Sequence, residues 1–181
     1  MRTMIKKLRA RGEGDEGFTL IELLVVLLII GILLAIAIPT YLSVTGGAKK
    51  SAAQSNLNTA LTAAKAEYTN NNGQYPTTAG TLMNALAAAG TSLQYTSSGS
   101  VSSTGPAEIS VHAPTSSVAI MAAYDGTNCY YVADAEVADT SLGFSAAGTY
   151  WLEVKNAGGT CAATTAPTSG WTNSPTSSGA A

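Results

Sequence analysis

Residues 17–42 read GFTLIELLVVLLIIGILLAIAIPTYL, and this stretch decides the fold. No charge occurs from Leu23 to Leu42, a run of twenty residues. At about 1.5 Å per residue a helix of that length is roughly 30 Å long, the thickness of a bilayer core. The run is longer than the 7–15 residues typical of a secretory signal, and Pro39-Thr40-Tyr41 is a poor small-residue cleavage site. A membrane-spanning helix therefore fits better. One residue is out of character: Glu22 lies between Ile21 and Leu23. A carboxylate in a spanning helix costs a few kcal/mol if unpaired. Glu22 is thus either tolerated at the interface or kept for a purpose.

Outward from this run the composition is lopsided. The chain has 181 residues, 46% hydrophobic and 11% charged, with nine Lys+Arg against eleven Asp+Glu. Five of the nine cations, Arg2, Lys6, Lys7, Arg9 and Arg11, precede the run, and Glu13, Asp15 and Glu16 follow them. Cations before a span stay cytoplasmic. The segment after Leu42 is then extracytoplasmic, where disulfides persist. Only Lys49, Lys50, Lys65 and Lys155 are basic beyond Leu42. No basic stripe for nucleic acid is expected.

Gly17-Phe18-Thr19-Leu20-Ile21-Glu22 resembles the processing site of type IV pilins and type II secretion pseudopilins. Gly31 and Pro39 fall where many members carry Gly and Pro, and Asn72-Gly73-Gln74-Tyr75-Pro76-Thr77 is similar to the segment that often follows their long helix. The resemblance implies removal of the leader by a prepilin peptidase after Gly17. It also implies N-methylation of Phe18 as the new N-terminus, with Glu22 fifth after the cut. Implied partners are that peptidase, membrane lipid before assembly, identical or related subunits, and an assembly machinery in the membrane. The Glu22 carboxylate would pair with the Phe18 amine of an adjacent subunit and set the filament register. Two unit charges 4 Å apart attract by about 4 kcal/mol at an effective dielectric of 20. That roughly offsets burial, so register rather than net stability is the gain. Gly31 and Pro39 would give the helix flexibility, since Pro39 removes one backbone donor and crowds the carbonyl of Ala35.

The expected fold is α+β, a long helix packed on a small antiparallel sheet of about four strands. The expected organisation is a leader over 1–17, a transmembrane or filament-core helix over 18–42, and an amphipathic half over 43–72. A globular head over 73–163 and a flexible Ser/Thr/Gly/Pro-rich tail over 164–181 complete it, with Trp171 a candidate anchor. Leu57, Leu61, Ala64 and Tyr68 share one helix face, and Gly73 suits a left-handed helix end. Thr78 to Ala89 reads as a short helix. Glu108–His112, Val118–Tyr124, Cys129–Ala133 and Thr149–Val154 read as strands, and Asp125-Gly126 as a hairpin turn.

Cys129 and Cys161 form an even pair far apart in sequence, as one disulfide would; two unpaired thiols are the alternative. A bridge would close a loop of about 33 residues, worth roughly 3.7 kcal/mol in the chain-entropy model, and many pilins carry a similar C-terminal disulfide. Asp134, Glu136 and Asp139 read as a solvated acidic loop, with calcium ligation the alternative. His112 reads as structural or surface. No nucleophile–base pair or phosphate loop occurs, so an enzyme, a cofactor and a resident metal are not expected. The resemblance implies a structural subunit of a type IV pilus, for adhesion, motility or DNA uptake. A pseudopilin of a secretion or competence system comes second, and a monomeric membrane-anchored protein third.

Overall fold

The computed structural model describes residues 17–78, 80–97, 101–155, 157–159 and 161–174. The leader, apart from Gly17, lies outside the described residues. Two compact units divide at Val44 and Thr45. Helix α1, Leu20–Asn70, contributes to both.

In the first unit every described residue from Gly17 to Val44 is exposed. By length and composition α1 is apolar and long enough to cross a membrane, and its most apolar window has no buried residue. An all-round apolar helix of this kind belongs in lipid or in a bundle rather than on a water-facing surface. Pro39 sits inside it without ending it.

The second unit is an α+β head. Its sheet has the order β1-β2-β3-β4-β5, with β1 Gln94–Ser97, β2 Glu108–Thr115, β3 Val118–Tyr124, β4 Cys129–Ala135 and β5 Gly148–Val154. Strands β2 to β5 form an antiparallel meander, whereas β1 pairs with β2 in parallel. There are therefore five strands rather than four, and the sheet is mixed. Strand β1 lies in a Ser/Thr-rich stretch, residues 91–100, whose only large apolar side chains are Leu93 and Tyr95.

Both faces of the sheet are covered. On one face Ala53, Leu57, Ala60, Leu61 and Ala64 of α1 pack with Ile109, Val111, Met121, Val132 and Trp151. Three of the four residues assigned to that helix face, Leu57, Leu61 and Ala64, are buried, and Tyr68 packs at its margin. The helix ends as expected, with Asn72 and Gly73 both at positive φ and the Gly73 N–H donating to the Tyr68 carbonyl at 2.9 Å. A short helix, α2 (Thr81–Ala88), adds Leu82 and Leu86 to this core.

The opposite face buries Val118, Ile120, Tyr131, Ala133 and Leu152 under Phe144, Cys161 and Ala163. This two-sided burial explains why VAIMAAY and CYYVADA read as nearly continuous apolar runs instead of alternating. The cover is the C-terminal segment. Composition had suggested a flexible tail over 164–181, but residues 164–174 are tied down. Ala163–Thr165 form a 3-10 turn. Trp171 packs 5.1 Å from Phe144 and 6.3 Å from Tyr131 by ring centroids, and its indole N–H donates to the Pro167 carbonyl at 2.7 Å. Thr172 exchanges backbone hydrogen bonds of 2.7 and 3.0 Å with Trp151 at the edge of β5. A single indole and one strand bridge do what average composition cannot reveal. The expected part beyond Ser174 lies outside the described residues.

Close packing of this cover leaves no room at Gly143, whose φ is +90°. A Cβ there would run into the Thr168 carbonyl and reach the Trp171 ring. Gly143→Ala should therefore destabilise the head by about 1–3 kcal/mol. A thermal melt of the full chain in detergent should show the drop; an unchanged midpoint would mean that the C-terminal cover is not seated as described.

Candidate processing and assembly site

Gly17, Phe18 and Thr19 are non-helical and α1 begins at Leu20. The boundary is set by a reciprocal pair. The Thr19 backbone N–H donates to Glu22 Oε2 at 2.8 Å and its hydroxyl donates to the same oxygen at 2.7 Å. In return the Glu22 N–H donates to Thr19 Oγ1 at 3.2 Å. This is a capping box: Thr19 is the N-cap and Glu22 the third helical residue, so two otherwise orphaned donors are satisfied. Its signature, Thr-x-x-Glu ahead of an apolar run, stands in the sequence at Thr19 and Glu22. Glu22 thus has an intramolecular role besides those considered from the sequence. The carboxylate also lies at the positive end of the helix dipole, which favours it there. Phe18 is 89% exposed beside Gly17, so the Gly17–Phe18 peptide bond is open on the described surface.

Further along, a Cβ at Gly31 would meet nothing within 4 Å. Pro39 leaves the Ala35 carbonyl without its usual donor four residues on, and one residue along the Thr40 hydroxyl donates to the Ile36 carbonyl at 2.9 Å.

In the head, Cys129 and Cys161 form a disulfide with a Cα–Cα distance of 5.4 Å. It joins the start of β4 to the start of the C-terminal cover. Buried serines fasten the same region. Ser103 N–H donates to the Cys161 carbonyl at 2.8 Å, and Ser110 Oγ accepts from Ala163 N–H at 3.0 Å.

Asp134, Glu136 and Asp139 do not gather into one loop. Asp134 lies within β4 and is only 2% exposed. It pairs with Lys65 of α1 at 3.0 Å and accepts a 2.5 Å hydrogen bond from Tyr75. Burial, and then the Asp134 carboxylate, push the Tyr75 phenol far above its ordinary range. Glu136 is exposed beyond the strand end; partial burial and its hydrogen bond to Asp134 raise its pKa. Asp139 caps its own turn through the N–H groups of Ser141 and Leu142. Among the described residues no group of three His, Cys, Asp or Glu is placed to hold a metal ion. His112 is half-buried in β2, and burial lowers its pKa.

The turn between β3 and β4 holds one further acid that sequence reasoning treated only as a turn residue. Asp125 accepts from the N–H groups of Thr127 and Asn128 at 2.8 and 2.7 Å, and from the Tyr130 hydroxyl at 2.9 Å.

Residues 14–38 match the family described as the prokaryotic N-terminal methylation motif. The type IV major pilin protein PilA of Myxococcus xanthus is 51% identical over 51 residues, covering 28% of this chain and 23% of that protein. The match therefore spans less than a quarter of the relative's length. No solved structure matches significantly. The exposed apolar helix and its capped start coincide with the methylation-motif match, and this N-terminal segment is similar to that of a type IV major pilin. The disulfide-bonded α+β head accompanies it.

The Asp125 turn makes a pH prediction. Burial would raise this carboxyl, but the backbone donors of Asn128 and Thr127 and the two side-chain donors outweigh it, so the folded pKa is lowered. Its contribution is then complete above the unfolded value of about 3.9 and is lost as pH falls through the lower folded value. Asp125→Ala should cost about 1–3 kcal/mol at neutral pH and flatten the decline of stability below about pH 4. Urea midpoints of both proteins between neutral and acid pH measure this. Parallel acid limbs would show that Asp125 does not titrate with folding.

Proposed function

We propose that this chain is the precursor of a structural type IV pilin subunit. A prepilin peptidase cleaves it after Gly17, the amine of Phe18 is methylated, and the mature protein assembles through α1 into a surface filament. The observation that carries this reading is the conjunction at the head of α1. An exposed Gly17–Phe18 bond, a capped Glu22 and a fully exposed apolar helix follow one another inside a methylation motif. The likeness to a major pilin over the shared segment supports a filament role over a simple anchor. The precursor is a single-pass membrane protein with its leader in the cytoplasm, and the head is exported with its disulfide.

The capping box sharpens how Glu22 works. The Thr19 N–H belongs to the Phe18–Thr19 peptide, so the box survives cleavage. It keeps one carboxylate oxygen bonded to Thr19 and holds the group at the helix start, where the amine of an incoming subunit reaches it. In lipid the box satisfies the acid within its own chain, so the precursor can wait in the membrane without a partner. In the filament the added cation compensates the charge as water and lipid headgroups leave. A subunit one step out of place strands that charge in an apolar bundle, which sets the register.

Gly17→Glu should block cleavage, because the peptidase must approach the backbone closely beside the scissile bond. Full-length protein should accumulate in membranes, seen by intact mass. A wild-type mature N-terminus other than Phe18 would sink the pilin reading.

Two substitutions at Glu22 separate capping from pairing. Glu22→Ala removes both, while Glu22→Gln keeps a side chain able to complete the box but removes the charge. Both should be processed and remain in the membrane, since loss of the charge lowers the cost of insertion by up to about 2.5–3.5 kcal/mol. Both should assemble poorly when no wild-type copy is present. Abundant filaments from Glu22→Gln cells would assign the role to capping, and abundant filaments from Glu22→Ala cells would show that assembly requires neither the cap nor the charge.

A further inference from the structure

The head carries its charges at two ends, and the ends differ. Strand register places Tyr124, Cys129 and Val154 side by side at one end of the sheet, and Val118, Ala135 and Gly148 at the other. Helix α1 runs from one to the other. Lys50 reaches Glu153 at 3.0 Å near the first end, and Lys65 reaches Asp134 at 3.0 Å near the second. The helix between those lysines is roughly 22 Å long, more than about two Debye lengths at physiological ionic strength. Each end therefore presents its own field to a partner.

At the first end Lys49, Lys50 and Lys155 stand against Glu108, Asp125 and Glu153, but these acids are occupied. Glu153 is held by Lys50. Asp125 is buried and accepts from Thr127, Asn128 and Tyr130. Glu108 accepts from the N–H and hydroxyl of Thr104. What stays open to water is cationic. Lys49 and Lys155 are exposed, and neither has an ion-pair partner among the described residues. Both border the β3–β4 turn. Lys49 Nζ lies 3.7 Å from where a Cβ would stand at Gly126, and Ala157, two residues after Lys155, donates its N–H to the Thr127 carbonyl at 3.0 Å.

The second end is acidic. Lys65 stands there against Glu67, Asp134, Glu136 and Asp139, a net charge of −3. The one cation is committed to buried Asp134. Glu67 follows Lys65 on α1, and the exposed Glu136 donates its backbone N–H to the Ser117 carbonyl at the β2–β3 turn at 2.9 Å. A filament built by one repeated operation points every copy the same way, so its contacts join unlike surfaces. Heads that meet end to end then bring the lysine end of one copy to the acidic end of the next, whereas two acidic ends repel.

We propose that Lys49 and Lys155 of one head dock on the acidic end of a neighbouring copy, at Glu67, Glu136 and Asp139, as an electrostatic contact between heads in addition to the packing of α1. The inference rests on the filament reading above and says which head surfaces of two copies meet. Exposed ion pairs are individually weak, so the contact acts chiefly on orientation: it steers an incoming subunit and disfavours an inverted one.

Filament yield from cells whose only copy is the variant tests this, read by electron microscopy and by the mass of sheared filaments. Lys49→Glu with Lys155→Glu should lower the yield about tenfold or more, since attraction becomes repulsion at every contact. Glu67→Lys with Glu136→Lys should do the same from the other end. All four substitutions in one chain exchange the two signs and should recover most of the yield. The two double variants produced together should also recover it as mixed filaments, although each alone assembles poorly. A subunit that rescues another is folded, so this arm excludes misfolding as the cause of the losses. Wild-type yield from either double variant alone would overturn the contact. So would losses that neither the fourfold variant nor the mixture repairs; the lysines would then serve another partner, such as anionic lipid headgroups. Wild-type cells without filaments would instead remove the filament reading, and the contact with it.

Discussion

The constraint on which everything else depends is that the first half of α1 has no place in water. Leu23 to Leu34 and Ile36 to Val44 expose nearly all their large side chains. At roughly 25 cal/mol per Å² of apolar surface, leaving even a few such side chains in water offsets the whole stability of a typical domain, about 5–15 kcal/mol. The surface must be covered by lipid or by other apolar helices. The two covers are chemically similar, so exchanging one for the other involves little hydrophobic gain. Polar and charged groups are then what can tell membrane from bundle. In this segment the one acid is Glu22, fixed at the helix start by Thr19.

The head solves the opposite problem with the same helix. Its sheet is apolar on both faces, so one cover is not enough. Residues 53–64 of α1 shield one face, and residues 161–174 shield the other. The disulfide gives this second cover a fixed starting point at Cys161, and Trp171 and Thr172 fix its far end. Between them the chain is short and rich in Thr and Ala, with little apolar area of its own. That is why the cover depends on a covalent bond, one indole and backbone hydrogen bonds rather than on a hydrophobic stripe. The Gly143 approach to Thr168 belongs to the same arrangement, since backbone can lie this close only where no Cβ intervenes.

Features governed by long periodic runs were legible in the sequence. The apolar run, the helix face at Leu57, Leu61 and Ala64, the helix stop at Gly73 and the turn at Asp125 all depend on neighbours within a few residues. The pairing of Cys129 with Cys161 was legible for a different reason: two cysteines allow one bridge. What escaped depends on tertiary context. Strand β1 has only four residues and pairs in parallel, so neither length nor a hairpin turn announced it. Asp134 looked like a loop acid because Glu136 and Asp139 follow it, yet it points between sheet and helix, where Lys65 and Tyr75 reach it from residues far away in sequence. The Thr19–Glu22 box is the exception, a local signal obscured because the membrane context made the charge, rather than its spacing from a threonine, the obvious question.

Helix stability is unevenly distributed along α1, and this follows from residue type alone. Gly31, Pro39, Gly46 and Gly47 all fall in its first 28 residues, and no Gly or Pro occurs from Ala48 to Asn70. Each Gly is about 0.8–1.0 kcal/mol less favourable than Ala in a helix interior, and Pro about 3. A Cβ at any of the three glycines would meet nothing within 4 Å, so no contact among the described residues requires their absence of side chain. The weak positions are therefore not a consequence of packing in the head. They are exposed among the described residues, and Thr40 adds a side-chain bond to the turn next to Pro39. From Ala48 onward the opposite holds: seven alanines up to Asn70, one buried face and two lysine contacts to the sheet act together. A disturbance that loosens α1 should thus be taken up before residue 48, leaving the head and its helix seat intact.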